Sequence, residues 1–234
     1  MVITFKCPPR WSLIREQLYN IGVLSLPVVI MTGFFTGLVL AAQSFFQLNS
    51  KGLAGATGLM VGKSMFTELG PVLTAFMVTG RVGSAMCAEL ATMHVSEQIE
   101  ALETMSVNPN RYLVAPRFIS GMIMMPFLTI FSIFMGIFGG YLISVFYFNM
   151  SPITYFDPMA VYINKFDFLT AIVKAFVFGA LIVTISCYKG LKTSGGAEGV
   201  GRSTTNSVVI CYTCILFVNF LITLGLNFLK QSTK

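Results

Sequence analysis

Several groups of residues in this 234-residue chain carry side chains that could do chemistry. The run Gly58-Leu59-Met60-Val61-Gly62-Lys63-Ser64 has the residue types of a phosphate-binding loop. Such a loop needs four residues between its glycines so that backbone amides can wrap a phosphate, and here there are three. No apolar strand precedes it either, so nucleotide binding and ATP hydrolysis by this chain are not expected. Cys211 and Cys214 form a Cys-x-x-Cys pair, but inside an apolar run cysteine serves as a small apolar side chain, and further metal ligands are missing. His94 is the single histidine, so histidine-based metal sites and catalytic triads are not available. Neither catalytic residues nor a metal or cofactor of the chain's own are expected. The remaining candidates are charges in unusual places. Arg81, Glu89 and Lys174 interrupt apolar runs, Glu68 borders one, and Glu97, Glu100 and Glu103 recur at every third residue.

Those residues need a scaffold, and the composition indicates its kind. Charged residues make up 10% of the chain, against roughly 25% in soluble domains. Hydrophobic residues make up 55%, and mean hydropathy is +0.79. Too few charges remain to cover a soluble surface of this size. The apolar content excludes a disordered chain, and five scattered cysteines exclude a disulfide scaffold. A polytopic membrane protein with one domain over residues 1–234 remains.

A helix needs about 20 apolar residues to cross about 30 Å of hydrocarbon. Charge-poor runs place five transmembrane helices at 26–48, 69–93, 118–146, 168–188 and 203–229. An aromatic exit segment from Tyr147 to Tyr155 follows the third. Nothing alternates with period two, which argues against a β-barrel. Ahead of the first span, Pro8 and Pro9 precede Trp11, Ile14, Leu18 and Ile21 at helical spacing, with Ser12, Arg15, Glu16 and Asn20 mainly opposite. This reads as an amphipathic helix over 9–25 lying in the headgroup region, not as a signal peptide. The expected fold class is therefore an all-α polytopic membrane protein, with an N-terminal interfacial amphipathic helix and five transmembrane helices.

Basic residues are spread between the apolar runs rather than gathered on one face, so no nucleic-acid partner is expected. With a cytoplasmic N-terminus, the inside segments hold Lys6, Arg10, Arg15, Arg111, Arg117, Lys189, Lys192 and Arg202. The outside segments hold Lys51, Lys63, Lys165, Lys230 and Lys234. The bias places the N-terminus in the cytoplasm and the C-terminus outside. The sets Gly33/Gly37, Gly80/Ser84/Ala88 and Gly136/Gly140 read as packing seams where helix backbones approach closely. The glycine cluster from Gly190 to Gly201 reads as a flexible cytoplasmic loop.

The connection between spans two and three is the most informative loop. Val95, Ile99 and Leu102 share one helical face, and Glu97, Glu100 and Glu103 lie on another. Ser96 is placed to cap the helix, with Glu97 in its first turn, where the helix dipole favours an acid. Asn108-Pro109 stops it. A short amphipathic helix over 95–107 is expected at the cytoplasmic surface, serving either as a docking element or as a solvated connector.

These residues resemble the MlaE-type permease family. The resemblance is carried by Glu68-Leu69-Gly70-Pro71, Gly80-Arg81-Val82-Gly83-Ser84-Ala85, Ala88-Glu89, the run Glu97 to Met105, Val107-Asn108-Pro109, Pro116-Arg117, Thr193-Ser194 and the segment Gly199 to Thr205. It extends from about Gln17 to Leu229. It implies a homodimeric membrane subunit of an ABC transporter that moves phospholipid or related lipids across the envelope from a bacterial inner membrane. The implied partners are a second copy, a cytoplasmic ATPase that binds the ATP, and a periplasmic MCE-domain lipid-binding protein. The resemblance makes the 95–107 segment a coupling helix, with Glu97, Ile99, Glu100, Leu102, Glu103 and Met105 engaging the ATPase.

The resemblance also implies that Glu68 and Lys174 border a lipid cavity, with Leu40 and Gln43 nearby. A charge inside the bilayer costs about 2.5–3.5 kcal/mol on insertion scales, so each needs a partner, a cavity or an interface. Lys174 could meet a lipid phosphate and Glu68 an amine, or the two could pair and hold helices together. Arg81 and Glu89 stand about 80° apart on an α-helix and read as structural charges that need not pair with each other. Thr67 stands where relatives can carry a basic residue, and Asn219 where they can carry an acidic one. The competing function is an ion-gradient-driven secondary transporter or channel using Arg81, Glu89 and Lys174 as a relay. A membrane-embedded lipid enzyme lacks the necessary catalytic set.

Overall fold

The computed structural model describes residues 11–232, and their side chains through 228. Residues 9–10 of the expected interfacial helix, the Pro8-Pro9 break, and Lys6, Arg10 and Lys234 of the charge comparison lie outside the described residues, as does the Lys230 side chain. Every regular element among the described residues is helical. Helix α1 spans Trp11–Ile21, and a short 3₁₀ turn at Val23–Ser25 leads into α2, Leu26–Asn49. Helix α3, Ala54–Val95, runs through two π turns, Met65–Leu69 and Thr79–Gly83. Then come α4 (Gln98–Thr104), α5 (Asn110–Phe146), α6 (Pro152–Tyr162), α7 (Lys165–Leu191) and α8 (Gly196–Ser232). Among the described residues, five stretches are long and apolar enough to cross a membrane: Trp11–Asn49, Ala54–Val95, Asn110–Phe146, Lys165–Leu191 and Gly196–Phe228.

The chain forms two compact units. The first takes residues up to Ser25, Ala75–Met125 and everything from Phe176 on; the second takes Leu26–Thr74 and Pro126–Ala175. Helices α3, α5 and α7 thus contribute residues to both.

In the second unit, α2 crosses α5 at backbone distance. A methyl group on Gly37 would collide with the Gly136 carbonyl, and Gly33 lies against Ser132 in the same way. Lipid supplies little hydrophobic drive for helix association, so the contact depends on van der Waals packing that side chains would prevent. Ala41, Val61, Met65, Ile133 and Ala171 form the buried cluster beside this crossing. Tyr155 of α6 is fully buried, and its hydroxyl donates to the Ile137 carbonyl at 3.2 Å. Helix α7 starts with an acidic side chain reaching back to the residue before it: the Asn164 N–H donates to Asp167 Oδ2 at 3.1 Å.

In the first unit, Ser120 donates to the Ile14 carbonyl at 3.2 Å, tying α1 to α5. Ile14 and Ile21 are buried, whereas Trp11 and Tyr19 are exposed, the two-faced pattern of an interfacial helix. Tyr212 of α8 donates to the Phe76 carbonyl at 3.4 Å.

Three boundaries differ from expectation. The second long helix starts at Ala54, not at 69, and absorbs the Gly58–Ser64 run. There glycine serves packing: Gly58 lies on the Tyr155 backbone and Gly62 beside Met159. The aromatic exit segment from Tyr147 to Tyr155 ends inside a helix, because α6 begins at Pro152. The glycine cluster 190–201 is a loop only over residues 192–195. Helix α7 continues to Leu191 and α8 starts at Gly196, with Gly195 (φ 97°) and Gly196 (φ 66°) making the turn between them. Gly190 lies inside α7, where a larger residue would strike Leu90 and the Cys87 carbonyl.

Replacing Gly37 with Leu forces α2 off α5 and is expected to destabilise the detergent-purified protein by about 1–3 kcal/mol or more. Gly201→Ala, where the added methyl meets no other element within 4 Å among the described residues, should leave the melting temperature unchanged or slightly raised. Equal melting temperatures for Gly37→Leu and the parent chain would contradict this packing.

Candidate functional site

Two sets of charges stand out, one in each unit. In the second unit, Lys174 of α7 is fully buried and its ammonium lies 2.8 Å from Glu68 Oε1. The Glu68 side chain remains 37% exposed, so the pair has one dry member and one that reaches open space. Lys174 also donates to the Thr67 carbonyl at 2.8 Å. The sequence around Glu68 explains why that carbonyl takes a side-chain donor. Pro71, four residues on, has no N–H to return to Thr67 as an α-helix would. The chain opens there into the Met65–Leu69 π turn, a local defect of the kind that recurs at functional sites. One ammonium thus meets both a carboxylate and a carbonyl left by a helix irregularity.

Of the other two expected cavity residues, Leu40 is half-buried against the Ala41–Val61–Met65 cluster and Gln43 is exposed. An apolar groove of about 450 Å³ opens in the same unit, walled in part by Phe66, Ile133, Phe134, Phe168 and Ile172. None of Leu40, Gln43, Glu68 and Lys174 lines it, although Phe66 and Ile172 each stand two residues from a member of the ion pair.

In the first unit, Glu89 and Arg81 do not pair with each other. Glu89 Oε2 lies 3.0 Å from Arg117 Nη2, with Arg117 buried at 4% side-chain exposure and Glu89 open at 59%. This bond joins the end of α3 to the start of α5, so it closes the base of the connection that contains α4. Arg81 lies in the second π turn, Thr79–Gly83, and its Nη1 donates to Ser25 Oγ at 2.7 Å and to the Asn20 carbonyl at 3.3 Å. It fixes the exit of α1 instead of pairing along its own helix. Arg81 is half-buried, and with Glu89 it borders a cleft against α1.

Helix α4 has the expected two faces but different ends. Ile99 is buried and Leu102 half-buried, while Glu97, Glu100 and Glu103 are exposed and Met105 is 73% exposed. Ser96 does not cap this helix. Its hydroxyl donates back to the Thr92 carbonyl at 2.8 Å, finishing α3. Glu97 is the N-cap, in a left-handed conformation (φ 59°), so the helix runs Gln98–Thr104 and Val95 belongs to α3, where it is exposed. At the other end the Val107 N–H reaches the Leu102 carbonyl at 3.0 Å and the Ser106 N–H reaches Glu103 at 2.9 Å. Those two bonds form a Schellman stop, with Ser106 (φ 61°) in the position that usually takes glycine. Two left-handed non-glycine residues therefore bracket a seven-residue helix.

Sequence reasoning missed four participants. Arg117 enters the sequence reading as an inside basic residue and as part of the Pro116-Arg117 motif, although an arginine among Leu113, Ala115 and Ser120 signals a buried partner. The Thr67 carbonyl was legible from Pro71 at the fourth position. Ser25 and Asn20, which hold Arg81, carried no signal.

Comparison with known proteins adds to this geometry. The profile of the family described as Permease MlaE matches residues 14–224. A "Probable ABC transporter permease protein" of Rickettsia conorii is 46% identical over 217 residues, covering 92% of this chain and 84% of that protein. The "Intermembrane phospholipid transport system permease protein MlaE" of Haemophilus influenzae is 34% identical, over 92% of this chain and 82% of that protein. The chloroplastic protein trigalactosyldiacylglycerol 1 of Arabidopsis thaliana is 36% identical, over 91% of this chain and 61% of that protein.

Glu68→Leu leaves the buried Lys174 ammonium without its carboxylate and is expected to cost about 3–5 kcal/mol, whereas Lys174→Met leaves only a part-exposed carboxylate and should cost less. The double replacement should cost less than the sum of the two by about 1–3 kcal/mol, as coupled groups do. Thermal unfolding of the four proteins in one detergent measures this; strict additivity would show that the ammonium and the carboxylate do not depend on each other.

Proposed function

The chain belongs to the MlaE permease family, and from that premise we propose that it is the permease subunit of an ABC transporter moving phospholipid across the cell envelope. Its five apolar helices suit a multi-pass protein of the inner membrane. The observation that carries the coupling part of this reading is α4. A short helix seated by Ile99, stopped on both sides and closed at its base by Glu89–Arg117, offers an outward face of Glu97, Glu100, Glu103 and Met105. Such a face suits a cytoplasmic ATPase, which binds the ATP and drives α4 as a lever. The N-terminus is then cytoplasmic and the C-terminus periplasmic.

The remaining partners follow the same logic. Only 11% of the apolar window of α8 is buried, against 50% for α3, and Phe217, Phe220, Leu221 and Leu224 are exposed along it. A second copy of the chain covers that stripe. A periplasmic MCE-domain protein delivers or receives the lipid. Lys174, Glu68, Leu40 and Gln43 belong to the wall of the lipid path, where the open side of Glu68 can meet an amine and the buried Lys174 keeps the pair neutral. An ion-driven relay through Arg81, Glu89 and Lys174 is less well supported, because Arg117 and Ser25 hold the first two and Glu68 holds the third.

Replacing Glu97, Glu100 and Glu103 together with Gln is expected to cut ATP-driven lipid transfer in proteoliposomes at least tenfold while leaving membrane insertion intact. Met105→Cys should react with an impermeant thiol reagent only from the cytoplasmic side. Full transport by the triple variant with the ATPase still bound, or labelling of Cys at 105 from the periplasm, would overturn the coupling role.

A further inference from the structure

The first unit holds a second polar feature that the transport reading leaves unused. Between α1 and α3 lies a cleft of about 660 Å³, bordered by Gln17, Asn20 and Leu24 on one side and Arg81, Ala85 and Glu89 on the other. Its walls combine one cation, one anion, two amides and apolar surface. Arg81 is held in place by Ser25 Oγ and the Asn20 carbonyl through Nη1 alone. Among the described residues, its Nε–H and Nη2–H meet no acceptor, so the rest of a planar, always-charged donor fork remains for a ligand. Glu89 is engaged through Oε2 with Arg117 and is more than half exposed. Arg81 and Glu89 are eight residues apart on one helix, about 12 Å along its axis at 1.5 Å per residue. An unbroken α-helix would turn them apart, but the Thr79–Gly83 π turn changes that register and both border the same cleft.

We infer that this cleft binds the headgroup of an amine-bearing glycerophospholipid from the leaflet on which α1 lies. The phosphate meets the Arg81 fork, the primary ammonium lies toward Glu89, and the glycerol end follows the apolar wall of Ile21, Leu24, Val82 and Met86. Three features favour this chemistry over a soluble ligand. Helix α1 is amphipathic and exposes Trp11 and Tyr19, and the turn after it exposes Val23 and Leu24, so the cleft opens where headgroups are densest. A guanidinium recognises phosphate through paired hydrogen bonds. A carboxylate can accept a hydrogen bond from a primary ammonium but offers nothing to a glycerol headgroup beyond a weak acceptor. The site rests on the permease reading only in requiring a bilayer around the chain, and it lies apart in sequence from the Lys174–Glu68 pair.

The test uses the assembled transporter in lipid nanodiscs containing trace phosphatidylethanolamine with a photoreactive diazirine near the glycerol. Labelled peptides are mapped by mass spectrometry. Labelling is expected within residues 17–25 and 81–89, and to fall about tenfold in Arg81→Gln and in Ala85→Phe. The second variant fills the cleft from an exposed position and leaves every bond of Arg81 and Glu89 in place, so it separates ligand loss from loosening of α1. A phosphatidylglycerol probe should label less than the ethanolamine probe in the parent protein and equally well in Glu89→Gln. Undiminished labelling of Ala85→Phe, no preference between the two lipids, or complete displacement by millimolar inorganic phosphate would overturn the proposal, the last by making this a site for a free anion. If ATP-driven transfer fails while Arg81-dependent labelling persists, the transport reading falls and the headgroup site stands.

Discussion

A charge in hydrocarbon must be neutralised within reach of its own side chain, and the architecture of this protein follows from meeting that requirement. The chain carries few charges, yet it places Glu68, Arg81, Glu89 and Lys174 within or beside its apolar spans. Each is met locally. Lys174 has Glu68 and the Thr67 carbonyl, Glu89 has Arg117, and Arg81 has Ser25 and Asn20. Two of the four sit in π turns of one helix. A π turn widens the helix and re-aims the residues after it, so the backbone bends its own regularity to bring charge and partner together. The cost of the irregularity is small beside that of an unpaired ion.

The same balance explains what could be read from the sequence. The five long apolar stretches were legible because only a helix or a closed barrel satisfies its backbone in a bilayer, and nothing in the sequence alternates as a barrel strand would. Composition alone therefore indicates the class of fold, and the amphipathic pattern of Trp11–Ile21 needs no tertiary information. The ends of elements were less legible because they depend on packing partners. Gly58, Gly62 and Gly190 look like loop residues by propensity but stand in helices, where a neighbour's backbone or side chain occupies the space a Cβ would take. Ser96 looks like an N-cap, yet its hydroxyl can equally close the helix behind it, and only the left-handed turn at Glu97 decides between the two.

Site residues divide along the same line. That Glu68 and Lys174 needed partners followed from their type and surroundings; that they partner each other did not, because no spacing rule relates residues 106 apart. Arg81 and Glu89 show the reverse case. A helical wheel gives them separate faces, and a π turn that propensity does not reveal sets them along one cleft. The acidic face of α4 was legible in part: Ile99, Glu100 and Glu103 follow the helical period, whereas Glu97 stands at the left-handed N-cap, outside it.

The placement of α4 also bears on how work done at one surface reaches the rest of the chain. A ligand or a neighbouring motor shifts a conformational equilibrium only through interactions that differ between the two states. A connection held by loosely packed loops would absorb a push without passing it on. Here the connection is short, its helix is stopped at both ends by left-handed residues, and Glu89–Arg117 joins its two flanks across a buried guanidinium. Moving α4 therefore means moving the ends of α3 and α5 together or breaking that bond. Arg81 sits two helical turns before Glu89 on α3, so displacement of the α3 end is felt at the cleft against α1. Any group bound there in one position of α3 and not in the other would be released or taken up by the same stroke, which is the minimum a transport step requires.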